Sequence, residues 1–145
     1  MINPTDVAEA IAERLRNAAA LAGVNVARDH YLNEDPGATP WVGVYRLGLD
    51  VDPLVLGRGG NSWRGTLRVD VACQYSSAGS GEKTGEGLDD LVKRVLEALF
   101  ADKTFGGYVA ATMSYRVTYD YQQKASATMD FQMATVSLTM EVRTN

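Results

Sequence analysis

The chain has 145 residues, 46% of them apolar, with a formal net charge of −4 and a pI near 4.9. That length and apolar content fit a single domain, residues 1–145, with one core, and the acidic balance argues against a general nucleic-acid binder. One cysteine, Cys73, excludes an intrachain disulfide and a cysteine-based metal site, while the polar first ten residues and the lack of a membrane-length apolar run predict a soluble protein of a reducing compartment with no membrane association.

Asn3-Pro4 reads as a helix N-cap followed by proline in the first turn. Val7, Ile11, Leu15, Ala18 and Ala22 recur at helical spacing, and Gly23 supplies a stop. A short strand over residues 24–28 follows. Residues 33–40 have turn chemistry, and residues 41–47 form a second strand.

Residues 48–61 mix loop formers with Val51, Leu54, Val55 and Leu56, which need a dry partner. Fourteen residues are long for a connection between strands. Either the segment folds back over its own sheet, or it is an arm that packs on a neighbouring subunit. From Trp63 the odd positions through Tyr75 turn apolar, a third strand.

Residues 76–87 (SSAGSGEKTGEG) are small and polar and predict a mobile loop. Leu88, Leu91, Val92, Val95, Leu96 and Leu99 mark a second amphipathic helix, with Asp89 and Asp90 in its first turn where the helix dipole favours carboxylates. Residues 110–143 then alternate as a long hairpin. Ala111, Met113, Tyr115, Val117, Tyr119 and Tyr121 share one parity, while in the second arm the apolar parity shifts between Met133 and Val136. One inserted residue produces such a shift, which predicts a β-bulge near Ala134 and Thr135. The whole is an α+β fold: a mostly antiparallel sheet of about five strands with two amphipathic helices packed on one face.

Chemistry is sparse. Gly81-Glu82-Lys83-Thr84 lacks both glycines that a phosphate-cradling P-loop requires. His30 is the sole histidine, with Asp29 and Glu34 near it in sequence, and reads as solvated. Asp50 and Asp52 lack the other ligands of a calcium loop. Cys73, on the inward parity of its strand, reads as a buried thiol. Tyr115, Tyr119 and Tyr121 read as core and sheet-edge residues rather than a ligand-stacking face. No catalytic, metal or cofactor site is expected, and no enzymatic activity.

The first helix, TPWVGVYRLG, the strand RGTLRVDVACQY, the Gly/Ser-rich loop, the helix GLDDLVKRVLEAL and the hairpin SYRVTYDY…FQMATVSLTMEV together resemble the tail terminator proteins of long-tailed bacteriophages, the U-type minor tail proteins. The resemblance covers about residues 5–143 and rests on element order, size and texture. It implies a homo-oligomer, a six-membered ring in the virion that caps the head-proximal end of the tail tube, stops its growth and docks to the head. Its partners would be the tail tube protein and a head-completion or neck protein, after assembly in the host cytoplasm. DNA would pass through without specific binding, since six copies at −4 carry roughly −24. On this reading Val51, Leu54, Val55, Leu56 and Arg58 make subunit contacts, and Glu82 and Lys83 touch the next ring. The alternatives are another ring-forming neck or tail-tube component, or a small-molecule-binding or enzymatic α+β domain with its site between helices and sheet.

Overall fold

The computed structural model describes residues 3–29, 39–53, 63–78, 81–120 and 130–143. Helix α1 spans Pro4–Asn17, capped by the Asn3 side chain, which accepts from the Thr5 N–H at 3.0 Å. It presents Val7, Ala8, Ile11, Ala12 and Leu15 to the interior. The helix ends earlier than the apolar spacing suggests. A 3-10 turn at Ala19–Leu21 follows, and Gly23 turns the chain at φ +82°, where residues with a Cβ are strained.

Five strands make one mixed sheet: β1 (Asn25–Arg28), β2 (Trp41–Pro53), β3 (Trp63–Ser77), β4 (Ala111–Asp120) and β5 (Asp130–Arg143), in the order β1-β2-β3-β5-β4. Strands β1 and β2 pair in parallel, whereas β2–β3, β3–β5 and β5–β4 are antiparallel. Helix α2 (Gly81–Phe100) lies beside α1 on one face of the sheet, and the two contribute to a single apolar cluster. Strand residues facing the helices include Val42, Val44, Val69, Val71, Cys73, Val136 and Leu138, all essentially inaccessible.

Three expectations need correction. Residues 48–53 are not a connection but the second half of β2, paired with β3 from Gly48↔Arg68 to Pro53↔Trp63. Asp50, Asp52 and Pro53 disguised a strand that is long because β3 supplies a partner along its whole length.

Residues 81–87 are not a loop either. They form the first two turns of α2, and their glycines let the helix approach the sheet closely. A Cβ at Gly87 would stand 2.2 Å from Tyr75 Cε1, and one at Gly81 would stand 3.3 Å from Asp130 Oδ2. Thr84 is fully buried with its hydroxyl 2.7 Å from Ser77 Oγ, and Gln132 Nε2 donates to the Gly81 carbonyl at 2.9 Å.

Third, no bulge lies at Ala134 or Thr135, because β3–β5 pairing runs unbroken from Ser77↔Asp130 to Arg64↔Arg143. The apolar parity changes because β5 is buried on both faces. Ala134, Val136 and Leu138 face the helices, whereas Phe131, Met133 and Thr135 are buried on the far face. There Trp41, Gln74 and Met133 form a row across three strands, with Gln74 Nε2 3.7 Å from Met133 Sδ. The register shifts fall instead between Arg46 and Gly48 in β2 and between Thr112 and Ser114 in β4. The second of these turns Met113 out to solvent.

Candidate subunit interface

The fold leaves two sheet edges open among the described residues. Strand β4 is last in the strand order, so its outer row of N–H and C=O groups meets no other strand. On the opposite side, β1 pairs with Trp41–Val44, which leaves the distal part of β2, residues 46–53, without an outer strand neighbour among the described residues. Open edges template further pairing and are normally shortened, charged or covered. Here both are long and carry exposed apolar side chains, Leu47 and Val51 on β2, Met113 and Tyr119 on β4.

Beside β4 an open groove of about 420 Å³ separates the strand from α2. Val92, Leu96, Phe100, Val117 and Tyr119 line it, with Asp89, Lys93 and Glu97 at its rim. Phe100 packs edge-on against Tyr115, ring centroids 4.8 Å apart, which holds the groove wall in place. The Tyr119 phenol is hydrogen-bonded to the Asp89 carboxylate, an arrangement that pushes the phenol's pKa up, with smaller contributions from burial and from the negative charge. Tyr119 is nonetheless 59% exposed.

A larger open groove, about 630 Å³, runs between α1 and the turn after α2, lined by Asp6, Glu9, Glu13, Arg14, Phe105 and Tyr108. Two of its carboxylates are committed to ion pairs: Glu9 with Arg16 at 3.0 Å and with Arg28 at 2.7 Å, Glu13 with Arg16 at 3.3 Å. At one end Asp102 ties the turn to α1, 3.2 Å from Arg14. The Asp102 pKa is lowered to about 2, first by the Thr104 hydroxyl, then by the Thr104 and Gly106 N–H groups, with a smaller contribution from Arg14. These bonds fix the 102–107 turn, in which Phe105, Gly106 and Gly107 all adopt positive φ. Among the described residues no group of three or more His, Cys, Asp or Glu could hold a metal ion, and no helix is long and apolar enough to cross a membrane.

Of the residues singled out from sequence, Val51 lies on β2, on the helix side of the sheet and 48% exposed. Leu54, Val55, Leu56 and Arg58 lie outside the described residues, as do His30, Glu34 and Tyr121. Glu82 and Lys83 are exposed in the first turn of α2, not in a loop. Cys73 is buried, and burial pushes its pKa up to about 12. Asp29 adopts φ 58° and binds Arg28 and Arg46, each at 3.3 Å. Sequence reasoning missed the α2–β4 groove. Tyr119 read as a core or sheet-edge residue, Phe100 lies just past the apolar stripe of the second helix, and the sheet order reveals that no strand lies outside them among the described residues.

No family model matches this chain, and no curated protein matches it. A virion chain has this fold. A chain from a solved virion of a native gene transfer agent (GTA) particle superposes with a TM-score of 0.58 over 95% of each chain, at 16% sequence identity.

Proposed function

We propose that the chain is a structural, non-enzymatic virion protein, a tail terminator whose copies close into a ring at the head-proximal end of the tail tube. The observation that carries this reading is the fold shared along 95% of both chains with a component of a virion. Two free edges on opposite sides of one sheet add to it. A contact between two different surfaces of identical copies is heterologous, and it closes into a ring when the rotation between neighbours completes a circle. The resemblance in sequence texture implies six copies.

The mechanism is steric. One face of the ring matches the last ring of the tube, while the other offers no surface for another tube subunit and instead meets the neck. Glu82 and Lys83, exposed at the start of α2, are assigned to contact with the adjoining ring. Val51, with Leu54, Val55, Leu56 and Arg58, is assigned to subunit contacts.

Polymerising purified tail tube protein with increasing amounts of this chain tests the proposal. The expected result is shorter tubes, each bearing one extra ring at one end. Tubes of undiminished length with no bound ring would refute termination. Open tubes built from this chain alone would make it a tube component.

A further inference from the structure

We propose that the two open sheet edges are the two halves of one contact, the outer edge of β4 in one copy pairing antiparallel with residues 46–53 of β2 in the next. This assignment rests on the ring-forming reading above, which makes a second copy the occupant. The geometry then restricts the pairing in four ways.

Direction comes first. Three successive antiparallel pairings, β2–β3, β3–β5 and β5–β4, make β4 run opposite to β2. A second copy that continues the sheet in the same orientation therefore presents β2 antiparallel to β4, the more stable kind of ladder.

Position comes second. Through β3 and β5, Arg116 stands level with Tyr45 (Tyr45↔Asp70↔Ser137↔Arg116). Without stagger, the far half of β4 would lie against Trp41–Val44, where β1 already occupies the edge. A slide of about five residues clears that stretch, and sheets that close on themselves carry a stagger of this kind. The slide sets Asp50 opposite Arg116, with Val51 opposite Tyr115 and Asp52 opposite Ser114. The free half of β2 then covers β4 almost from end to end.

Charge comes third. Asp50 and Arg116 are both exposed, both on the face away from the helices, and neither has an ion pair among the described residues. Opposite charges facing each other across strands stabilise a pairing, and like charges disfavour it. The apolar side comes fourth. The same register brings the exposed Val51 side chain to the helix side of β4, beside the groove formed by Leu96, Phe100, Val117 and Tyr119.

Disulfide trapping in the full-length protein tests the register. Directly opposed residues have Cα atoms about 4.5–5.5 Å apart, within disulfide reach, and the native thiol of Cys73 is buried and does not compete. Under mild oxidation, Asp52→Cys/Ser114→Cys should yield a ladder of covalent oligomers ending at the ring's copy number. Either single variant alone should give none, and the off-register pair Asp52→Cys/Thr118→Cys should give at least about tenfold less. Native mass spectrometry on the same samples separates the possible failures. Rings that assemble without the ladder would overturn the edge contact and leave the ring standing. Covalent dimers from Ser114→Cys alone would mean that β4 meets β4, which overturns the contact. A single copy at every concentration would overturn both readings.

Discussion

Gly87 of α2 lies against the ring of Tyr75 in β3, so close that a Cβ would stand 2.2 Å from Cε1 and 2.4 Å from Cζ. Helix propensity alone favours alanine over glycine by about 1 kcal/mol. Steric overlap with a half-buried ring outweighs that gain. Gly87→Ala should therefore destabilise the fold by about 1–3 kcal/mol, read as a lower urea midpoint. Adding Tyr75→Ala should recover part of the loss relative to Tyr75→Ala alone, because the clash is then gone. At Gly85 a Cβ would meet Gln132 Oε1 at an ordinary 3.5 Å, so Gly85→Ala should be neutral or stabilising.

Asp102 predicts acid sensitivity. Its folded pKa is lowered from 3.8 to about 2, so the stabilisation it gives is complete above about pH 4 and is lost as pH falls through 2. Thermal melts between pH 4 and 2 should show a shallower fall for Asp102→Ala than for the natural protein. Parallel curves would mean that the 102–107 turn is held by other contacts.

Asp70 predicts the opposite sign. Burial raises its pKa, the Ser137 hydrogen bond only partly offsets this, and Oδ1 is buried with no partner among the described residues. A carboxyl whose folded pKa is raised binds more protons in the native state, so its contribution to stability declines as pH rises from 3.8 through the folded pKa. Asp70→Asn should melt at a higher temperature near pH 7, with the advantage disappearing at low pH. A lower melting temperature at neutral pH would show that the ionised form has a partner worth keeping.

Cys73 should resist thiol reagents at pH 8 in the folded protein, since burial hides the sulfur and its pKa of about 12 leaves almost no thiolate. Full reaction should appear only in denaturant. Rapid labelling of the native protein would contradict the packing of β3 against α2.

Charge reversal probes the contact between copies. Arg116→Asp should weaken ring assembly, and adding Asp50→Arg should restore it, since an exposed pair contributes about 0.2–1 kcal/mol and every contact in the ring repeats it. Charged residues at Leu54 and Leu56 should likewise reduce assembly with the fold intact. Normal assembly and termination by that variant would remove those two leucines from the contact.

The sequence carried the strand and helix alternation well, because each element shows one apolar face at its own period. Val69, Val71 and Cys73 announced β3, and Leu88 to Leu99 announced the body of α2. Glycine was misleading, since Gly81 and Gly87 looked like flexibility and serve close helix–sheet packing instead. The double-sided burial of β5 imitated a bulge, and the bulge at Met113 left the alternation undisturbed. A periodic pattern reports which residues share a face, not what covers that face. For the same reason Tyr119 read as core or sheet edge alike, and only the strand order exposed the groove beside it.

The most direct test is electron microscopy of the purified protein with and without tail tubes. Closed rings of one copy number are expected, free in solution and seated singly at one end of each tube. A monodisperse single subunit that binds no tube end and turns over a substrate in the groove beside α1 would contradict that expectation.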